Sequence, residues 1–137
     1  MTKTINIGLI GIGTIGSGVV DILDKNNSLI EKRTGVKINL AKVCDLNEKL
    51  ALELGLKGLF TKEYKELLNN PNIDVIVELI GGYEPAHSII IEAIQAGKHV
   101  VTANKAVLAK FGYEIFEEAQ KNNVNVLFEA AVGGCIP

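Results

Sequence analysis

The stretch Gly8-Leu9-Ile10-Gly11-Ile12-Gly13-Thr14-Ile15-Gly16 decides the fold. An apolar run, residues 4–10, ends inside it, and Ile15, Val19, Ile22, Leu23 and Ile30 then recur at helical spacing. A chain with 14 glycines produces a bare GxGxxG by chance, but a strand before it and a helix after it make the spacing informative. Gly11 permits a tight turn, Gly13 lets the backbone approach a pyrophosphate, and Gly16 lets helix and strand pack closely. A phosphate then sits on the helix N-terminus, where unpaired N–H groups and the positive end of the dipole stabilise it. The expected ligand is a dinucleotide; the competing reading is a turn with a structural purpose only.

Outward from this turn, short β-rich runs alternate with longer helical periods. Strands are expected over residues 4–10, 37–44, 74–80, 99–102 and 125–129, each dense in Val, Ile or Leu. All five read as central strands, covered on both faces. The first helix runs out near Lys32 and is broken by Gly35. A second carries Ala86, Ile89, Ile90, Ala93 and Ile94 between Pro85 and Gly97. A third carries Leu108, Ile115, Phe116 and Ala119 and ends at Asn122-Asn123. The alternation implies an α/β fold with a doubly wound parallel sheet of the Rossmann type.

The 137 residues, 47% hydrophobic and 22% charged, suit one domain. A net charge of -2, from 14 basic and 16 acidic residues scattered along the chain, leaves no basic stripe, so no nucleic-acid partner is expected. Arg33 is the only arginine, so bidentate phosphate clamping is almost absent. The apolar stretch 5–15 is broken by glycines and Asn6 and lacks a small-residue cleavage site. It reads as neither signal peptide nor membrane span, and a cytoplasmic protein with no membrane partner is expected. Cys44 and Cys135 show no CxxC or Cys/His ligand spacing and are expected to be buried, reduced thiols that build no metal site.

In open α/β sheets ligands lie at the C-terminal ends of the strands, and Gly81-Gly82, Asn104-Lys105 and Gly133-Gly134 all follow strand ends. Asp45 closes the second strand, where an acid reads the ribose hydroxyls, although its distance from Gly16 exceeds the usual spacing of about 20 residues. Its alternative role is the N-cap of a helix beginning near Leu46, with Glu48 completing a capping box. Lys105 can donate to a substrate oxygen or a ribose hydroxyl and stabilise alkoxide charge. Its alternative is a solvated lysine at a helix N-terminus, where the dipole disfavours cations. Glu78 lies in an otherwise apolar strand and needs a partner that the sequence does not name. His87 and His99 have no ligand spacing and read as packing or surface histidines.

Three further segments carry a family resemblance: Val77-Glu78-Leu79-Ile80-Gly81-Gly82-Tyr83-Glu84-Pro85-Ala86, then Val100-Val101-Thr102-Ala103-Asn104-Lys105-Ala106-Val107-Leu108-Ala109, then Phe128-Glu129-Ala130-Ala131-Val132-Gly133-Gly134-Cys135-Ile136-Pro137. With the glycine turn they span nearly the whole chain, in order, and the chain resembles the homoserine dehydrogenases. That family reversibly reduces L-aspartate 4-semialdehyde to L-homoserine with NADH or NADPH, a step toward threonine and methionine. The resemblance implies that Gly11, Gly13, Thr14 and Ile15 lie along the cofactor, and Gly16 and Asp45 are counted with them as cofactor-binding residues. It implies that Gly81 borders the cofactor and that Lys105 is the catalytic residue at its nicotinamide end. It also implies a sodium-type monovalent-cation site at Glu129, Val132, Gly134 and Ile136, through one carboxylate and backbone carbonyls. Cys135 departs from the glycine usual there.

Residues 1–137 are thus expected to be an NAD(P)-binding Rossmann domain, with a substrate and dimerisation domain following residue 137 and a homodimer formed through it. Alone, the chain is expected to be inactive toward its small-molecule substrate. NAD is the expected cofactor, because Asp45 would repel a 2′-phosphate. NADP remains open, with Lys49 as the residue able to favour it. Two rivals stand beside this reading: another Rossmann dehydrogenase of amino-acid metabolism, and a non-catalytic NAD(H)-sensing module.

Overall fold

The computed structural model describes residues 3–128. Six strands, β1 (Lys3–Ile10), β2 (Val36–Cys44), β3 (Phe60–Thr61), β4 (Val75–Glu78), β5 (His99–Thr102) and β6 (Val126–Phe128), form one sheet in the order β3-β2-β1-β4-β5-β6. Every adjacent pair is parallel. The connections carry α1 (Thr14–Thr34), α2 (Glu48–Glu53), α3 (Lys65–Leu68), α4 (Ala86–Gln95) and α5 (Lys105–Lys121). The chain direction across the sheet reverses between β1 and β4, which makes their C-terminal ends the topological switch point.

Two apolar layers sandwich the sheet. Ile76, Val100, Ile89, Ile90, Ile94, Val107 and Ile115 form the larger one, joining β4 and β5 to α4 and α5. Leu9, Ile12, Val43, Ala51 and Leu56 form the smaller one beneath α1 and α2. Each fully buried Leu or Ile contributes about 1.5–3 kcal/mol, so the α4–α5 layer dominates. The period-two alternation of β4 puts Ile76 and Glu78 on one face, and both are completely buried.

Several details differ from the sequence expectation. β3 has only two residues, too few to show a period, and was not expected. Among the described residues β6 is an edge strand rather than a central one, with Leu127 60% exposed. β4 stops at Glu78, because the N–H groups of Ile80 and Gly81 turn back to the Glu78 carboxylate. In α1, Ile15 and Ile22 do not face the core but are 59% and 53% exposed. Gly16 sets this rotation: at about 100° per residue, its contact with the first turn brings Val20 and Leu23 inward and carries Ile15 and Ile22 to the flank. Gly35 ends α1 in the left-handed conformation.

Lys98, which no pattern singled out, is buried and donates from Nζ to the carbonyls of Asn70 and Ile73, both at 2.7 Å. Burial lowers its pKa against the opposing effect of Asp74, and the two carbonyls tie the entry of β4 to the turn before β5. Among the described residues no helix is long and apolar enough to cross a membrane.

Candidate functional site

At the switch point lies an open crevice of about 420 Å³. The ends of β1 and β2 supply Ile10, Gly11, Gly13, Cys44 and Asp45, and the segment after β4 supplies Leu79, Ile80, Pro85 and Ile89. Gly11 has φ 101, and a Cβ there would lie 2.9 Å from the Leu79 carbonyl carbon. A Cβ on Gly16 would lie 2.2 Å from the Gly11 oxygen, which only glycine avoids. Gly13 is different: a Cβ would meet no other atom within 4 Å, so the space above it is free for a ligand.

Gly13 is also the N-cap of α1 and offers its helix no side-chain hydrogen bond. By contrast, α2 and α5 are capped by the side chains of Asn47 and Asn104. The first-turn N–H groups of α1, which begins just after the crevice residue Gly13, thus have no side-chain acceptor, the arrangement that binds an anion.

Asp45 is fixed beside them. Its Oδ2 accepts from Ile12 N at 2.7 Å and its Oδ1 from Asn47 N at 2.8 Å. The capping alternative is thereby corrected: Asn47, not Asp45, caps α2, accepting from Leu50 N at 3.0 Å. Each carboxylate oxygen keeps a lone pair for a further donor. The neighbouring Cys44 thiol is pushed up to about 11, by burial first and then by the charges of Asp45, Glu63 and Glu66. It stays a protonated, apolar piece of wall and forms no disulfide.

On the other flank, Gly81 and Gly82 form a turn with φ 85 and 71. The Asn104 side chain donates to the Gly82 carbonyl at 2.7 Å and accepts from Val107 N at 3.0 Å. It thus ties that turn to the start of α5, whose first residue is Lys105. Lys105 is exposed, and its ammonium makes no hydrogen bond or ion pair among the described residues. Thr14 and Ile15 are likewise exposed, at the first turn of α1. Glu78, whose partner the sequence did not reveal, accepts from Ile80 N, Gly81 N and Thr102 Oγ1.

The two histidines are satisfied by protein partners. His87 stacks on Phe111, with ring centroids 3.8 Å apart, and bridges Glu84 and Glu114. His99 accepts at Nδ1 from Asn125 N at 3.0 Å.

Gly11, Gly13 and Asp45 therefore meet in one crevice, Gly16 packs behind it, and Gly81 and Lys105 stand at the adjoining strand ends. Glu129, Val132, Gly134 and Ile136, the expected cation ligands, lie outside the described residues, as does Cys135. Among the described residues no group of three or more His, Cys, Asp or Glu side chains is placed to hold a metal. Sequence reading missed Leu46, Lys62, Tyr64, Pro85 and Ile89 as crevice walls. Lys62 follows the two-residue β3 and carries no periodic signal, yet it lines the crevice where Lys49 does not.

A parallel sheet with its switch point at β1 and β4, a glycine turn shaped for phosphate and a carboxylate held beside it define a dinucleotide-binding domain of the Rossmann type. The profile of the homoserine dehydrogenase NAD-binding domain matches residues 11–129, and the chain belongs to that family. A homoserine dehydrogenase of Neisseria gonorrhoeae is 46% identical over 135 residues, covering 98% of this chain and 31% of that protein. One of Pseudomonas aeruginosa is 43% identical over 135 residues, with the same coverage. The crystal structure of a homoserine dehydrogenase from Thiobacillus denitrificans superimposes with a TM-score of 0.89 at 43% identity, over 95% of this chain and 30% of that one. That from S. aureus gives 0.87 at 34% identity, over 95% and 33%. The chain thus spans about a third of the length of the relatives it matches.

Proposed function

We propose that this chain is the cofactor-binding portion of a homoserine dehydrogenase that interconverts L-aspartate 4-semialdehyde and L-homoserine, a step toward threonine and methionine. The observation that carries the reading is the convergence of Gly11, Gly13 and Asp45 on one crevice whose other flank leads to Gly81 and Lys105. The crevice suits a nicotinamide dinucleotide, because the space over Gly13 is free and the α1 N-terminus is uncapped. In this reading the first-turn N–H groups of α1 hold the pyrophosphate and Asp45 accepts from the ribose hydroxyls. The Gly81-Gly82 turn borders the nicotinamide end. When bound, the cofactor supplies or accepts the hydride. Lys105 then donates a hydrogen bond to the substrate oxygen and stabilises its developing negative charge.

NAD is the preferred cofactor in this proposal, since Asp45 is held by two N–H groups and cannot turn away from a 2′-phosphate. Lys62, on the crevice wall, is the residue able to soften that preference. The cation site at Glu129, Val132, Gly134 and Ile136, a homodimer formed through a following domain and a cytoplasmic location belong to the same proposal. They are supported by the family resemblance alone.

Titrating the chain with NADH while following its melting temperature tests the cofactor reading. Stabilisation should follow RT ln(1 + [L]/Kd), about 2.7 kcal/mol at a hundredfold excess over Kd, with NADPH binding more weakly. No response to either at millimolar concentration would sink it. Equal affinities would sink the NAD preference and direct attention to Lys62.

A further inference from the structure

We propose that Glu78 is a positioning residue for the nicotinamide end of the crevice, holding the Gly81-Gly82 turn and Lys105 in one fixed relation. The proposal rests on the cofactor reading above and deepens it.

Glu78 is the last residue of β4, and its register partner is Thr102, the last residue of β5. Both are completely buried. A carboxylate placed there is costly unless hydrogen bonds replace its water. Three donors do so: Ile80 N at 2.8 Å and Gly81 N at 3.3 Å reach Oε2, and Thr102 Oγ1 donates to Oε1 at 2.5 Å. The Thr102 hydroxyl, its proton committed to Glu78, then accepts from Asn104 N at 3.0 Å. Asn104 in turn holds the Gly82 carbonyl at 2.7 Å and caps α5 through Val107 N.

The backbone N–H groups in this relay donate in any case; the one group free to point either way is the Thr102 hydroxyl, and the carboxylate, which can only accept, turns its proton toward Glu78. The turn is gripped twice from the protein side: its N–H groups by Glu78, and its carbonyl by the residue that precedes Lys105. Its outer surface is clear, since a Cβ on Gly81 or Gly82 would meet no other atom within 4 Å. A carboxylate needed only for the core would have no reason to spend all its bonds on the crevice turn and on the strand end leading to Lys105. A glycine pair without these bonds has many backbone states to choose from, whereas reacting groups must be held within about 0.5 Å of their productive geometry.

Glu78→Gln keeps the shape but places an amide donor among three donors. Its effect is read from two dissociation constants, for NADH and for ADP-ribose, which carries the adenosine and pyrophosphate but no nicotinamide. In the unaltered chain NADH should bind more tightly. In Glu78→Gln the ADP-ribose affinity should stay within about twofold, while the NADH affinity falls about tenfold, roughly 1.4 kcal/mol. Thr102→Val should lose the same selectivity and Thr102→Ser, which keeps the hydroxyl, should recover it. The Thr102 pair decides the matter should Glu78→Gln fail to fold.

Affinities for both ligands falling together, in step with the melting temperature, would show a merely structural role and overturn the proposal. So would unchanged affinities, or an unaltered chain that binds the two ligands equally. If the unaltered chain bound neither, the cofactor reading itself would fall.

Discussion

At the end of β1 the glycine turn is walled by backbone: the missing Cβ atoms of Gly11 and Gly16 would sit on the Leu79 carbonyl carbon and the Gly11 oxygen. At the end of β4 the glycine turn stands in open space, and side chains do the holding, with Glu78 and Asn104 behind it. Farther along the same connection Glu84 is tied to His87, which reaches Glu114 on α5. A turn held by sterics is stiff whatever the solution conditions. One held by polar side chains is as stiff as its hydrogen bonds, and part of its support titrates. That suits their proposed tasks, since pyrophosphate needs a fixed cradle while the nicotinamide end must also meet a substrate.

The sharpest way to break this contrast is Gly16→Ala. With 2.2 Å between the new Cβ and the Gly11 oxygen, helix and strand must separate. Overpacking of this kind typically costs about 1–3 kcal/mol, and a backbone obstacle places it at about 3 kcal/mol or more. A shift in denaturation midpoint worth under 1 kcal/mol would show that the first turn is not sterically locked.

Gly81→Ala should cost less, about 1–2 kcal/mol, because the new methyl meets nothing and only the left-handed φ of 85 is penalised. Gly81→Asn should recover part of that loss, since asparagine tolerates this region better. Equal melting temperatures for the two variants would count against it.

The smallest effect should come from His87→Gln, and it should depend on pH. Burial pulls the His87 pKa down, but hydrogen bonds and charge from Glu114 and Glu84 outweigh it and leave the value raised. A pKa raised by folding gives stability that is complete below the ordinary value of 6.5 and disappears as pH climbs through the raised folded value. Melting temperatures of the unaltered and His87→Gln chains should therefore differ most in mild acid, and the gap should narrow at alkaline pH to the part due to the lost stack on Phe111. A constant gap would rule out the titrating support.

The same contrast explains what sequence could tell. The first turn is a local object: its glycines, strand and helix lie within one short segment, and their spacing carries the geometry. Asp45 was legible for a similar reason, since it ends a strand, although its bond to Ile12 was not. The second turn depends on register. Nothing in Val75-Ile76-Val77-Glu78 names Thr102 as a partner until β4 and β5 pair. Lys62 escaped as a crevice residue because β3 is too short for a period, whereas Lys49, the lysine the sequence singled out, is not among the crevice walls. Ile15 and Ile22 fit a helical stripe, but the stripe does not say which side of α1 Gly16 will turn to the sheet. β6 shows the composition of a covered strand, yet among the described residues it has a neighbour on one side only.

The two hydrogen bonds accepted by Asp45 bear on coenzyme engineering. A designer seeking NADP selectivity would ordinarily remove the acid at the end of β2. Here that change also strips the acceptor from Ile12 N, in a residue with no exposed surface, and from the N–H of Asn47, the residue that caps α2. An orphaned buried donor costs about 1–3 kcal/mol, so the charge at this position cannot be changed without loosening the glycine turn. Redesign has to provide a new acceptor for Ile12 N before it alters the charge, whereas the exposed Asn47 N can turn to water.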